Sequence, residues 1–251
     1  MPVSSAALLA VVRAQLDQIE ATQGDAIAAA AQLIADCVAN GNVLQIFGTG
    51  HSEALAMELS GRAGGLIPSS KIALRDLILF GGEDPELLAD PKAERDPALA
   101  RRVWDLAPIT PGDVVVIASQ SGGNGSTVEM ATIARAAGHP LIAITSLAHS
   151  TAITSRHPSG LRLFEIADVV IDNAAPYGDG VLPLPAGGTV CAISSIGNSV
   201  IAQMLVAEVT SRLLEADAEP PIYLSANIAE GDAHNDVWEA RYKGRIRRSA
   251  Y

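Results

Sequence analysis

Short apolar runs that end in glycine or polar residues alternate along the chain with longer stretches of helical spacing. Between about residues 6 and 39, Leu, Ile and Ala recur every three or four positions, which predicts one long helix or two shorter ones. Asn40-Gly41 follows, and both residues tolerate the left-handed conformation that ends a helix. The apolar run at residues 43–47 then predicts a strand that is covered on both faces.

The same unit of strand, polar turn and helix occurs again in the middle of the chain. Residues 113–118 form the clearest strand pattern, and residues 128–137 return to helical spacing, as residues 52–63 do after the first strand. Further strand patterns occupy residues 66–74, 140–145 and 167–171. Because helices separate about five apolar strands, we expect an α/β fold with a parallel sheet and helices on both faces.

The remaining third of the chain predicts a loop and one more long helix. Residues 173–188 are rich in Gly and Pro and predict a loop, and residues 191–215 predict a helix that ends before Pro220-Pro221. The predicted organisation is a helical arm at residues 1–35, one α/β domain at residues 36–230 and a basic tail at residues 231–251.

Composition and charge exclude several classes of function. Apolar residues make up 49% of the chain but aromatic residues only 4%, so the core is built from small aliphatic side chains. With 17 basic and 28 acidic residues the net charge is −11, which disfavours nucleic acid and anionic lipid as partners. No apolar run approaches the roughly 20 residues of a membrane span. Five of the bases lie between Arg241 and Tyr251, where we expect them to pair with acidic groups.

The expected location is the cytoplasm. The N-terminal residues carry no basic leader ahead of their apolar positions, as a secretory signal would. The two cysteines, Cys37 and Cys191, lie far apart and outside any metal-ligand spacing, which fits a reducing compartment. We predict no metal site, since the alternating Asp232, His234 and Asp236 are not a diagnostic ligand pattern.

Two polar turns follow the strongest strands. The first turn, residues 48–52, has the sequence GTGHS, in which two glycines let the backbone approach a ligand and Ser52 can cap the next helix. A dinucleotide fingerprint needs a third glycine where Glu53 stands, so we expect no nicotinamide or flavin and no other cofactor. A simple tight turn with a helix cap is an equal alternative for this stretch.

The second turn, residues 119–127, has the sequence SQSGGNGST and is more telling. Its hydroxyl groups and backbone N–H groups are the donors that phosphate oxygens accept from. Ligands of open parallel sheets bind beyond the carboxyl ends of the strands, where both turns fall. A flexible connection between strand and helix is the alternative.

Specific residues in these turns resemble a known family. The SQSG that follows VVVIA resembles the S-x-S-G signature of the sugar isomerase (SIS) family of phosphosugar-binding domains, and FGTGHS stands where that family has its first turn. Residues 50–68 and 225–246 further resemble a bacterial, phosphoheptose-isomerase-like subgroup. The resemblance implies a Rossmann-like three-layer α/β/α sandwich with a five-stranded parallel sheet, a homodimer or homotetramer, and a sugar phosphate as ligand.

The resemblance also implies substrate-binding positions. The family pattern places Thr three residues after the second Ser of the signature, but Asn124 stands there and two hydroxyl residues come later. Asn124, Ser126 and Thr127 therefore compete for one phosphate-binding role. The predicted substrate-binding residues are Gly50, His51, Ser52, Ser119, Gln120, Ser121, Asn124, Ser126 and Thr127.

Three residues are candidates for acid–base catalysis. Glu58 precedes Leu-Ser-Gly-Arg, as a catalytic Glu does in phosphoheptose isomerases, although an ion pair with Arg62 is an alternative. His234 matches a family histidine that a neighbouring subunit sometimes supplies, and a solvated loop histidine is the alternative. Glu129 is a candidate second base or a residue that only stabilises the start of its helix.

The expected activity is the aldose–ketose isomerisation of a sugar phosphate. Two other functions stay open. One is a lyase of the muramic-acid-phosphate etherase kind, and the other is a sensor that binds phosphosugars without turnover. Asn198, a polar residue in an apolar helix pattern, is expected to form hydrogen bonds in the core.

Overall fold

The computed structural model describes residues 3–247, so the end of the predicted basic tail, residues 248–251, lies outside the described residues. The helices are α1 (Ser5–Thr22), α2 (Gly24–Ala39), α3 (Glu53–Leu59), α4 (Asp76–Leu79), α5 (Pro97–Leu106), α6 (Gly125–Ala136), α7 (Leu147–Ser150), α8 (Leu163–Ile166), α9 (Ser194–Glu215) and α10 (Gly231–Glu239). The strands are β1 (Leu44–Gly48), β2 (Ser69–Ile72), β3 (Val114–Ala118), β4 (Leu141–Thr145), β5 (Val169–Asp172), β6 (Gly180–Pro183) and β7 (Thr189–Ala192). Short 3-10 helices occupy Gly50–Ser52, Pro85–Leu88, Ala93–Arg95 and Ala240–Tyr242.

The first five strands form one parallel sheet in the order β2-β1-β3-β4-β5, which confirms the predicted α/β fold. The chain leaves β1 for β2 on one side and then crosses back to β3 on the other side. The switch point of the sheet therefore lies between β1 and β3, where Gly48 is in register with Ala118. The two turns that follow these strands leave the sheet as neighbours.

Helices cover both faces of the sheet. Ile46 and Val116 pack on one face against α1, α2, α3 and α9, whereas Phe47 and Ile117 pack on the other against α4, α5, α6 and α8. Successive strand residues point to opposite faces, so both must be apolar in a central strand. This is why the buried strands appear in the sequence as continuous apolar runs. The helix patterns at residues 6–39 become two helices that meet at Gln23.

One predicted loop is only partly a loop. Within residues 173–188 the chain begins an antiparallel hairpin in which Gly180 pairs with Ala192 and Leu182 with Val190. The sequence pattern did not reveal this hairpin because its strands have only four residues each, only Leu182 among them is buried, and residues 180–188 are rich in Gly and Pro. Cys191 consequently lies in β7, and the last long helix begins at Ser194 rather than near residue 191.

A long-range contact fixes the start of that helix. The carboxylate of Asp179 accepts hydrogen bonds from the backbone N–H groups of Ile193 and Ser194, at 3.0 and 2.7 Å. Acceptors at a helix start satisfy N–H groups that have no partner within the helix. Because Asp179 lies in a separate loop, the pattern of the helix itself could not predict its first residue.

The ends of the chain pack onto the α/β unit. The predicted boundary between arm and domain, at residues 35 and 36, falls inside α2, whose Ile27 and Ile34 belong to the main core. At the other end Trp238 and Tyr242 pack with Val43 at the amino edge of the sheet. As expected for the basic tail, Arg245 pairs with Asp113 at 2.6 Å and Arg247 with Asp76 at 3.0 Å.

Among the described residues, no helix combines the length and the apolar character that crossing a bilayer requires.

Candidate functional site at the switch point of the sheet

The first turn depends on a close approach between backbone segments. A Cβ atom on Gly48 would lie 2.5 Å from the carbonyl oxygen of Ser52, so only glycine fits there. Gly50 has a φ of +54°, in the left-handed region that favours glycine. The predicted cap at Ser52 is wrong. Ser52 precedes α3 but has helical backbone angles, and its side chain accepts no hydrogen bond from the start of the helix in the described structure. A capping serine needs an extended backbone, which the 3-10 turn at Gly50–Ser52 removes.

The second turn is shaped by its own side chains. The hydroxyl of Ser119 accepts a hydrogen bond from the backbone N–H of Gly122 at 3.1 Å. Thr145, at the end of β4, donates to the carbonyl oxygen of Ser119 at 2.6 Å. Gly122 has a φ of +62°, and a Cβ atom there would lie 3.1 Å from the hydroxyl of Ser150. The turn is therefore held in one conformation rather than being a flexible connection.

Two buried polar atoms of the second turn lack partners. The amide nitrogen of Gln120 and the hydroxyl of Thr127 are inaccessible to solvent and form no hydrogen bond within the described residues. Buried polar groups are almost always paired in folded proteins, so such atoms mark a strained or functional position. Ser121, between them in the sequence, is partly exposed.

Glu94 joins the two turns. Thr49 in the first turn donates its hydroxyl hydrogen to Oε2 of Glu94 at 2.7 Å, and the Asn124 amide in the second turn donates to Oε1 at 2.7 Å. Ser126 donates to the backbone carbonyl of Glu94 at 2.7 Å. The structure thus brings Asn124 and Ser126 together, while Thr127 is fully buried beside them. The sequence pattern around Glu94, a charged stretch between helices, contains no signal for this role.

A polar cavity of about 420 Å³ adjoins the first turn. Its walls are the first turn, the residues that follow β2, and residues between 88 and 94. His51 is exposed and lines the cavity together with Glu53 and Arg75, which form an ion pair. Lys71 also pairs with Glu53 at 3.2 Å. The volume falls in the range of small-molecule sites, and Glu53 and Arg75 place charged groups in the wall of the cavity.

Glu58 lies on the side of α3 that faces α9. Its carboxylate accepts from the Gln203 amide at 2.6 Å and forms the ion pair with Arg62 that the i,i+4 spacing allows. Its side chain is 22% exposed. The ion pair named above as the alternative is therefore present, and Glu58 is outside the walls of the cavity beside the first turn.

His234 is at the opposite end of the sheet. It belongs to α10, and its Nε2 atom lies 3.0 Å from the carbonyl oxygen of Ile222. Ile222 forms a β-bridge with Leu66, which precedes β2, whereas both turns follow the carboxyl ends of their strands. His234 and the two turns do not meet within one subunit.

Glu129, in α6, contacts a loop that is itself bonded to the second turn, since the Arg156 N–H donates to the Gly123 carbonyl oxygen at 2.8 Å. Its carboxylate lies 2.8 Å from Nε2 of His157, whose Nδ1 atom is 2.8 Å from the hydroxyl of Ser159. These contacts connect α6 to the loop that follows α7. Among the described residues no three His, Cys, Asp or Glu side chains are grouped to hold a metal ion.

A chain of buried amides supports the second turn, and the sequence pattern pointed only to Asn198 and Gln120 among them. The side-chain nitrogen of Asn173 donates to Gln120 at 3.0 Å and to Asn198 at 2.9 Å, which confirms that Asn198 forms a hydrogen bond in the core. Gln15 of α1 donates to the carbonyl oxygen of Asn173 at 2.8 Å. The position of Asn173 directly after β5 is the signal that could have identified it.

His149, near the carboxyl edge of the sheet, has a lowered pKa. His149 follows β4, contacts the ring of Tyr177 with 4.9 Å between centroids, and accepts from the backbone N–H of Gly178 at 3.3 Å. Burial lowers the pKa of His149 from its ordinary value, because desolvation disfavours the imidazolium. The neutral form accepts the Gly178 hydrogen bond.

Comparison with known proteins agrees with this architecture. A family profile described as SIS domain matches residues 8–146. A UPF0309 protein of Caldanaerobacter subterraneus subsp. tengcongensis is 36% identical over 93% of this chain and 95% of its own length. A UPF0309 protein of Geobacillus kaustophilus is also 36% identical, over 94% of this chain and 92% of its own length.

Solved structures share the fold at low sequence identity. The phosphoheptose isomerase of Neisseria gonorrhoeae has a TM-score of 0.55 and 19% identity, and covers 82% of this chain and 96% of its own. A putative phosphosugar isomerase involved in capsule formation, from Bacteroides fragilis, has a TM-score of 0.55 and 18% identity over 83% of this chain and 91% of its own. With a five-stranded parallel sheet, two adjoining polar turns and these relatives, the chain belongs to the SIS domain family.

Proposed function

We propose that the protein binds a sugar phosphate where the two turns meet and interconverts its aldose and ketose forms. The observation that carries this proposal is the adjacency of the first and second turns across the β1–β3 switch point, beside a charged cavity of about 420 Å³. Membership of the SIS family supports it, and the neighbours named as phosphosugar isomerases support the choice of reaction.

The second turn supplies donors for the phosphate. The hydroxyl groups of Ser119 and Ser121 and the N–H groups at the start of α6 are the kinds of donor that phosphate oxygens accept from. The unpartnered amide nitrogen of Gln120 and hydroxyl of Thr127 supply further hydrogen-bonding capacity there. Ser52 and the exposed His51 of the first turn face the same edge of the sheet and complete the proposed substrate contacts.

Isomerisation moves a proton between neighbouring carbons and needs no redox cofactor. In the proposed mechanism the Glu58 carboxylate removes the proton from the carbon next to the carbonyl while the carbonyl oxygen gains a proton, which gives an enediol. The carboxylate then returns its proton to the former carbonyl carbon while the neighbouring hydroxyl loses its proton. The hydrogen bond from Gln203 and the ion pair with Arg62 hold this carboxylate in one orientation. Because His234 lies at the far end of the sheet, it acts in this proposal on the site of a neighbouring subunit, within a homodimer or homotetramer.

The test is turnover over a panel of pentose, hexose, heptose and amino-sugar phosphates. We expect isomerisation of one class, and Glu58→Gln should lower kcat about 100-fold or more because the base is lost. Glu208→Gln is a matched control, since Glu208 also forms an i,i+4 ion pair but on the exposed side of α9. Unchanged turnover in Glu58→Gln would exclude Glu58 as the base, and a change of product mass would indicate ether cleavage instead.

One observation favours a second function, a sensor that binds a phosphosugar without turnover. The side chain of Glu58 is occupied by two partners and stands outside the cavity walls. A sensor would show a rise in Tm with a sugar phosphate, a smaller rise with the dephosphorylated sugar, and no product. Turnover of any member of the panel would rule it out.

A further inference from the structure

The Glu94 carboxylate lies between the two turns, in the place where the proposed function puts a phosphate. Each of its oxygens accepts one hydrogen bond, from Thr49 on one side and from Asn124 on the other, both at 2.7 Å. Both donors are neutral and are at least nine-tenths buried. The carboxylate of Glu94 therefore already occupies, at the switch point, an anion site whose donors are Thr49 and Asn124; we call these two donors the cradle.

The backbone around Glu94 also lies directly on the turns. A Cβ atom on Gly50 would be 3.5 Å from Oε2 of Glu94, and a Cβ atom on Gly125 would be 2.1 Å from the carbonyl oxygen of Arg95. We call Ala93–Arg95, which forms one short 3-10 helix, the bridging segment. The bridging segment separates the cavity beside the first turn from the start of α6.

Both polar atoms of the Asn124 side chain are engaged outside the helix that Asn124 begins. It is the N-cap of α6 and has the extended backbone of a cap, with φ −74° and ψ 147°, but its side chain makes no capping bond within the described residues. Its amide instead donates to Glu94 and accepts from Arg156 at 2.9 Å. An N-cap asparagine normally accepts from a helix N–H group through its side-chain oxygen, but in this protein that oxygen accepts from Arg156 while the amide nitrogen donates to Glu94.

We propose that Glu94 is an internal ligand that holds the anion position, and that the phosphate of the substrate displaces it and takes its hydrogen bonds from Thr49 and Asn124. This inference rests on the proposed function and adds Thr49 to the substrate contacts. Two anions cannot share one small site without a large electrostatic cost, so the bound phosphate and the Glu94 carboxylate exclude each other. Arg156, which already contacts Asn124, provides positive charge next to the exchanged anion.

The exchange has a measurable consequence for affinity. Part of the binding free energy of phosphate is spent on displacing the carboxylate, and the apparent affinity is reduced accordingly. Glu94→Gln keeps the shape of the side chain but weakens its two charge-assisted hydrogen bonds. We expect inorganic phosphate, titrated by calorimetry, to bind Glu94→Gln about tenfold more tightly than the unmodified protein.

Two matched variants and a melting curve control this experiment. Glu86→Gln removes one negative charge from the same connection between α4 and α5, at an exposed residue, and should leave the Kd for phosphate unchanged. Adding Thr49→Val to Glu94→Gln should raise the Kd again, because one donor of the cradle is lost. Thermal melting of each variant identifies any that is unfolded, and Glu94→Ala then replaces Glu94→Gln.

Each outcome decides the inference separately from the proposed function. Equal Kd values in the unmodified protein and in Glu94→Gln would overturn it, as would the absence of phosphate binding by both. A loss of turnover in Glu94→Gln with unchanged phosphate affinity would overturn it in favour of a catalytic carboxylate. The sugar-phosphate panel judges the proposed function independently of these results.

Discussion

The carboxylates of Asp113 and Glu94 each join separate segments of the chain, Asp113 at the amino end of β3 and Glu94 at its carboxyl end. Asp113 is fully buried and Glu94 is half-buried. Asp113, at the amino end, is fully buried and accepts hydrogen bonds from Val43, Gln45, Thr110 and Arg245. Glu94, at the carboxyl end, accepts from two neutral side chains and adjoins a cavity. A buried charge with several donors and a guanidinium partner cannot leave its place cheaply, whereas a carboxylate held by two neutral donors can be exchanged.

The groups around the two carboxylates also differ in part. At the amino end Arg245 and the aromatic residues Trp238 and Tyr242 cover the edge of the sheet. Unpartnered buried polar atoms occur at both ends among the described residues: Oε1 of Gln45 beside Asp113, and the amide nitrogen of Gln120 and the hydroxyl of Thr127 at the carboxyl end. The two ends therefore differ in charge pairing and in covering: Asp113 has a guanidinium partner at an edge covered by aromatic residues, whereas Glu94 has two neutral donors and borders a cavity.

The largest expected effect on stability comes from a substitution at the amino end of β3. Asp113→Asn removes the charge that balances Arg245 and should lower the free energy of unfolding by about 3–5 kcal/mol, because a buried ion pair loses one partner. Urea denaturation would measure this loss. Asp105→Asn, at an exposed i,i+4 pair, is the control and should change stability by less than about 1 kcal/mol. If both variants lost a similar unfolding free energy, the ion pair of Asp113 would be no more important for stability than an exposed pair.

A smaller effect is expected from the buried amides at the carboxyl end. Asn173→Ala removes donors to Gln120 and Asn198 and an acceptor for the N–H of Ala175, and should cost about 1–3 kcal/mol of unfolding free energy. Because Gln120 then loses its anchor, phosphate affinity should fall as well. Denaturation and calorimetry on the same samples separate the two effects. If Asn173→Ala were destabilised but bound phosphate normally, the amides would serve only the fold.

The smallest expected effect is a pH dependence where the basic tail contacts the residues that follow β2. Burial raises the pKa of Asp76 above its ordinary value despite the nearby Arg247, because desolvation disfavours the carboxylate. The folded state then holds the proton more tightly than the unfolded state, so the contribution of Asp76 to stability decreases as pH rises through the raised pKa. The stability difference between the unmodified protein and Asp76→Asn, followed from pH 3 upward, should therefore decline with rising pH. A difference that grew with pH would contradict the raised pKa.

Much of the fold was predictable because its signals are local. The strand pattern at residues 113–118 and the glycine-rich turn after it follow from side-chain spacing and backbone preference, and both are present in the structure. The β6–β7 hairpin was missed since four-residue strands with one buried residue between them show no apolar alternation. The cap at Ser52 was wrong because a 3-10 turn replaced the extended backbone that capping requires.

The sequence by itself determined the five strands of the parallel sheet in chain order, the helices at the start of the chain and after β1 and β3, the composition of the core and the two polar turns. Only the tertiary structure decided which distant residues complete the site: Glu94 is 45 residues from Thr49 and 30 residues from Asn124. It also placed His234 at the far end of the sheet. The physical reason is that helix and strand patterns depend on neighbours within a few positions, whereas a buried polar contact depends on how separate elements pack together.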